Sequence, residues 1–430
     1  MLIHILFLFL YLILHTVVSP VTLSYMLLAH SGIGLYNSYK KDKQLLSVNV
    51  MMYINVILAA VSNIVVIGLI GTTSNITNSY IIPEFIADGI NLWCIGSTFT
   101  FIGFELFSWS FLPKIDVLIT DEKHLDYLFY VMLFLSTQAL FINLNFSSLG
   151  SIGSLINLVG IMGIMFFSRL WSKLESVKYR TYAFILLFFQ VLAAVLFSYL
   201  RVALIGPFVI MFLGYFVGKG DIKYIFTYRA IPFIVVIFIF IQFFGKLGDY
   251  RSNFSDVFTS SFINEGNNEA EEKKGTFIER SANISQLSNV YKLVQRNGFY
   301  NGSVSGNLVA ALIPRFLWPD KPEVQLGAWF AVEIGAGYIV DDKSNNSINM
   351  TVPGELYLDF GWWGVTIGCL LVGGFMALIW NTTAFYESEY NLTGVMFGGY
   401  LFFSSFPGDL QIYITILSVY STFWVIKRFL

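Results

Sequence analysis

Charge is what this chain has least of. Only 12% of its 430 residues are Asp, Glu, Lys or Arg, against 56% hydrophobic residues, and the mean hydropathy is +0.69. A soluble fold cannot hide that much apolar surface, because folding buries a limited fraction of what the chain exposes. Lipid must serve as part of its solvent. The 25 basic and 27 acidic residues nearly cancel and form no basic block, so no nucleic-acid partner is expected. The two cysteines, Cys94 and Cys369, each lie within an apolar run, which suggests neither a disulfide framework nor a thiolate metal site. Phosphate-cradling glycine loops and His-x-x-x-His pairs are missing too, so no cofactor and no metal are expected.

Long apolar runs fill the space left by charge. The first, residues 1–30, lacks the basic start and small-residue cleavage site of a secretory signal and reads as membrane from the outset. Ser19 and Pro20 divide it into spans at about 2–18 and 20–37. Further runs of the roughly 20 residues that cross a hydrocarbon core fall at about 46–70, 87–111, 127–145, 151–167, 181–200, 203–217, 230–245, 356–380, 392–408 and 411–426. Backbone amides in lipid must pair within their own segment, so these are helices. The expectation is an all-α polytopic membrane protein of about 12 transmembrane helices with one large periplasmic loop carrying short helices. Its parts are an N-terminal bundle, 1–245, the loop, 246–355, and a C-terminal set of spans, 356–430.

Basic residues orient the chain. With the N-terminus inside, the short cytoplasmic loops and tail hold Lys40, Lys41 and Lys43, then Lys114 and Lys123, Arg169 to Arg180, Lys219 to Arg229, and Lys427 with Arg428. The short exported loops near 71–85, 146–150 and 409–410 hold none. That asymmetry places the interval 246–355 outside. None of the four histidines lies there, which sets aside a His-based site in the interval.

The interval instead offers arginine, carboxylate and aromatic residues. A helix is expected from Thr276 to Asn297, ended by Gly298, with Phe277, Ile284, Leu287, Tyr291 and Val294 as its apolar stripe. Arg280 projects near the middle of that stripe, and Gln286 and Asn289 project away. A buried guanidinium calls for an anion, either a ligand or a structural carboxylate such as Glu333. Arg201 sits at an exported membrane interface, where positive charge is depleted, and so has either a functional or a snorkelling role. Glu355 and Asp359, at i and i+4 on the helix opening the next span, face one side, as a base pair of carboxylates or as helix-start capping chemistry. Trp318, Trp329, Tyr300 and Tyr338 offer flat faces of the kind that stack on sugar rings, or belong to an interfacial belt. The polar run 264–274 and the Ser/Asn-rich run 343–349 read as solvated loops. Glu105 is the main charge inside a span.

Ser198 to Leu204, with Arg201 just after a span, resembles an element of the bacterial O-antigen and oligosaccharide repeat-unit polymerases of the Wzy type. Ile313-Pro-Arg-Phe-Leu-Trp-Pro-Asp-Lys-Pro322 is similar to a segment late in their large exported loop, and Gly354-Glu-Leu-Tyr-Leu-Asp-Phe-Gly361 to their entry into the next span. The resemblance implies a glycosyltransferase of the bacterial inner membrane, facing the periplasm. It would move a growing glycan from undecaprenyl pyrophosphate onto an incoming lipid-linked repeat unit, without a metal. Membrane lipids, a chain-length regulator and a flippase are the partners it implies. Guanidinium groups would then meet the departing diphosphate, with Arg201, Arg280, Arg315 and Lys321 as candidates and Trp318 and Tyr338 beside the sugars. Glu355 is the favoured base, with Asp320 and Asp359 as alternatives. A lipid-linked oligosaccharide flippase and an O-antigen ligase are the competing expectations; a ligase is expected to carry a loop histidine, which the interval lacks.

Overall fold

A computed structural model describes residues 1–42, 48–70, 81–108, 122–145, 150–193, 201–218, 283–306, 318, 326–336, 339–340, 343–344 and 348–383. These residues are helical almost throughout. The apolar runs at the start become α1 (Leu2–Leu14), α2 (Pro20–Asp42) and α3 (Val48–Ile70), and a short 3-10 turn, Pro83–Phe85, leads into α4 (Ile86–Phe107). The break between α1 and α2 falls at Pro20, whose missing N–H costs nothing at a first helical position. Next come α5 (Glu122–Asn145), α6 (Gly150–Leu174), α7 (Val177–Ala193) and α8 (Arg201–Gly218). The polar interval supplies α9 (Ile284–Asn297) and α10 (Leu326–Glu333), and then α11 (Val352–Trp363) runs through a π-helical turn, Gly364–Gly368, into α12 (Cys369–Thr383). The expected spans at 230–245, 392–408 and 411–426 lie outside the described residues.

Among the described residues, four helical stretches are long and apolar enough to cross a membrane: Val48–Gly68, Pro83–Phe107, Glu122–Ile142 and Val352–Leu378. The run 343–349 is not wholly loop. Lys343–Ser344 pairs antiparallel with Ile339–Val340, where two β-branched residues favour an extended backbone.

The chain forms two compact units. One joins Met1–Val117 to Gly275–Ser418, and the other holds Leu118–Lys274 with Val419–Leu430. In the first, α4 is the central element and is buried on nearly every side, polar Asn91, Ser97, Thr98 and Thr100 included. Glycine lets its neighbours come close: Gly103 lies against the Leu370 carbonyl and Gly373 against that of Thr100, leaving no room for a Cβ on either helix. Gly96 receives the ring of Pro353, whose Cγ would stand 2.6 Å from an added Cβ.

In the second unit α6 packs between α5, α7 and α8. Phe129 and Tyr182 stack face to face at 3.8 Å. Beside them Lys178 Nζ donates to Asp126 Oδ2 at 2.8 Å and Glu122 Oε1 at 3.1 Å, tying the start of α7 to that of α5. The Asp126 carboxylate, with Glu122 behind it, holds the Lys178 ammonium well above its ordinary range.

Candidate functional site

α9 forms because Ile284, Leu287, Val290 and Leu293 recur at every third residue and bury one face. That face lies on α4 and α11 at two glycines. A Cβ on Gly89 would stand 3.0 Å from the Ser288 nitrogen, and one on Gly354 would stand 3.1 Å from Leu287 Cδ2. The buried stripe is turned relative to the sequence expectation. Asn289, expected on the water side, is 2% exposed, whereas Tyr291 and Val294 are only half-buried. The rotation is tolerated because Asn289 Nδ2 donates to the Ser285 carbonyl at 2.7 Å and so satisfies itself within the helix. Gly298 ends the helix as expected, at φ 76°, a region glycine enters without penalty.

Along the edge of that face α9 borders a cleft of about 250 Å³, with the end of α10 opposite. Asn289, Lys292, Leu293 and Arg296 line one wall, and Val332, Glu333, Ile334 and Gly335 the other. Arg296 Nη2 donates to Glu333 Oε2 at 2.8 Å, and its Nε donates to Asn297 Oδ1 at 3.0 Å. Glu333, considered from the sequence as a partner for Arg280, is thus engaged by Arg296. Asn297 in turn donates to the Tyr300 hydroxyl at 2.8 Å, and the Tyr300 ring meets Trp329 edge-on at 5.4 Å. The i, i+4 spacing of Lys292 and Arg296 was legible in the sequence; the carboxylate facing them was not.

Under α9 runs α11, where both predicted carboxylates are found together. Thr351 caps it, its hydroxyl accepting from the Gly354 N–H at 3.4 Å, and Pro353 fits the first turn. Glu355 is 1% exposed and Asp359 is fully buried. Asp359 accepts from the Val304 N–H at 3.1 Å through Oδ1 and from the Ser305 N–H at 2.6 Å through Oδ2. Its main-chain carbonyl takes the Asn301 N–H at 3.1 Å, and that of Leu358 takes the Tyr300 N–H at 2.9 Å. Asp359 therefore holds the turn 300–306 against α11, and that turn carries Tyr300 toward α10. Tyr291 stacks on Tyr357 at 4.6 Å, joining α9 to α11. Burial first, then Tyr357 and Asp88, push the Tyr291 phenol far above its ordinary range, so it stays protonated.

At Gly361 the helix breaks, with φ 60° and ψ −146°. The stretch Val352–Leu378 has 27 residues. At 1.5 Å per residue that is about 40 Å, more than a ~30 Å hydrocarbon core needs.

Of the other predicted site residues, Trp318 is 39% exposed. Arg201 opens α8 in the second unit. Arg280, Arg315, Asp320, Lys321 and Tyr338 lie outside the described residues.

Apolar spans, glycine-mediated helix packing and a helix broken next to buried carboxylates define a polytopic α-helical membrane protein. Within that class, the chain belongs to the family described as Domain of unknown function (DUF8712), whose model matches residues 72–429. No curated protein and no solved structure matches it.

Proposed function

We propose that this protein is a membrane glycosyltransferase that polymerises undecaprenyl-pyrophosphate-linked oligosaccharide repeat units at the periplasmic face of the bacterial inner membrane. The proposal rests on two features that neighbouring helices carry: Glu355, buried on α11, and the cleft beside α9 that Lys292 and Arg296 line. A sugar hydroxyl needs a carboxylate base, and a departing diphosphate needs cations where no metal serves. Glu355 is the candidate base, since both oxygens of Asp359 hold backbone amides; Asp320 is the alternative. Lys292 and Arg296 join Arg280, Arg315 and Lys321 as candidates to meet phosphate, with Trp329 and Tyr300 as sugar-stacking faces and Trp318 and Tyr338 further along the chain; Arg201, in the other unit, is a candidate by itself.

A second reading, a flippase for the same lipid-linked units, is favoured by the break at Gly361 and by buried ionisable groups in the first spans, both features of transporters. Deletion with complementation separates the two. Cells lacking the gene are expected to make surface glycan of a single repeat, restored to long chains by the intact gene. Loss of every repeat would instead support the flippase or a ligase and refute polymerisation.

A further inference from the structure

Apart from the cleft, a second group of titratable side chains lies where α1 begins and α4 ends. His4 and His30 are 1% and 0% exposed, and their rings are joined by a 2.8 Å contact from His4 Nδ1 to His30 Nε2. His4 Nε2 reaches Glu105 Oε1 at 3.2 Å, and the Tyr11 hydroxyl reaches His30 Nδ1 at 3.2 Å. The Tyr53 hydroxyl is also 3.2 Å from His4 Nε2. Phe7 stacks on His30 at 4.4 Å and Phe101 lies 5.5 Å from His4, so an apolar wall surrounds the pair. Four helices meet there, and Glu105, 34% exposed, is the member nearest water.

The hydrogens in this chain have one consistent direction. A carboxylate only accepts, so His4 donates from Nε2 and its Nδ1 accepts from His30 Nε2. His30 Nδ1 is then left to accept from Tyr11. With both rings neutral, the hydrogens from Tyr11 through His30 and His4 point toward Glu105, and the Tyr53 hydroxyl shares the His4 Nε2–H as a second acceptor. Packing alone would be served better by apolar side chains, because ionisable groups among membrane helices are costly.

We propose that the His4–His30 pair is an intramembrane proton-binding site with Glu105 as its counter-charge. One proton from water forms a new N–H bond at His30 Nδ1, and the Tyr11 hydroxyl turns from donor to acceptor. The hydrogen between the rings passes from His30 Nε2 to His4 Nδ1. The two imidazoles then hold three N–H bonds in place of two, with the positive charge on His4 beside Glu105. Loading sets a second positive charge beside Glu105, which already pairs with the Met1 amino group, and strengthens the hold of α1 on α4. The other groups facing the pair are the Met1 amino group, which also contacts Glu105, the Tyr53 hydroxyl, and Cys94 near Tyr11.

The test is a titration of the full-length protein in lipid nanodiscs, read by ¹⁵N NMR of labelled imidazoles between pH 4 and 8. His15 and His124 serve as internal references. His4 and His30 are expected to begin as Nε2–H tautomers and to change together at one midpoint, with uptake of one proton. In Glu105→Gln the proton affinity of the pair is expected to fall about tenfold or more, the usual effect of removing an opposite charge in contact. Tyr11→Phe, which removes no ring, is expected to alter the His30 Nδ1 signal alone in the unloaded state. Two neutral rings down to pH 4, separate midpoints, or an unchanged midpoint in Glu105→Gln would each overturn the proposal.

Discussion

Replacing Asp359 tests how the site is assembled. Its carboxylate is fully buried and takes the N–H groups of Val304 and Ser305 at 3.1 and 2.6 Å. A hydrogen bond to a charged group contributes about 1.5–3 kcal/mol, and an abandoned buried donor costs about 1–3 kcal/mol. Asp359→Asn keeps one acceptor and turns an amide toward the other N–H, so a local loss of about 2–3 kcal/mol is expected. Asp359→Ala strands both donors, for about 3–5 kcal/mol. Since 1.4 kcal/mol is tenfold, amide exchange at residues 304 and 305 should quicken about thirtyfold or more in the Asn variant. Hydrogen exchange by mass spectrometry of the detergent-solubilised protein measures this on peptides spanning 298–306, with α5–α8 as the reference. Undiminished protection of that turn in both variants would refute the assignment of Asp359 as its anchor. So would a uniform loss reaching α5–α8.

Glu355→Gln is expected to leave protein level and turn protection near normal while reducing surface glycan to a single repeat; long chains at normal yield would remove Glu355 as the base. Gly361→Ala forces an alanine into φ 60°, ψ −146°, with its Cβ 2.8 Å from Phe299 Cζ. Backbone strain of about 1–3 kcal/mol plus the clash should lower thermal stability, and Phe299→Ala in the same chain should recover only the steric part. Lys178→Ala removes a half-buried clamp between α5 and α7, so a loss within about 1 kcal/mol that shrinks at high salt is expected in a detergent melt. A loss that salt does not change would show that the clamp acts through packing.

The membrane class was legible because lipid imposes a requirement on each segment by itself: an apolar run must satisfy its own backbone. The same holds for local signals, which is why Pro20 begins α2, Gly298 ends α9, and Glu355 and Asp359 share a helix face. The different fates of those two carboxylates were not legible. Asp359 anchors a turn some fifty-five residues earlier in the chain, a contact no local pattern encodes.

Sequence alone also determined that cations and carboxylates gather in the polar interval. It could not assign partners among them, because Glu333 suits Arg280 or Arg296 equally well until α10 is set across from α9. The histidines give the sharpest contrast. As single letters in apolar runs, His4 and His30 carry no signal, and Glu105, the main charge inside a span, names no partner, since 26 residues separate His4 from His30 and 101 separate it from Glu105. Only the packing of α1, α2 and α4 brings them into one chain of hydrogen bonds, because burial leaves each ring no water to bond with and makes the others its partners.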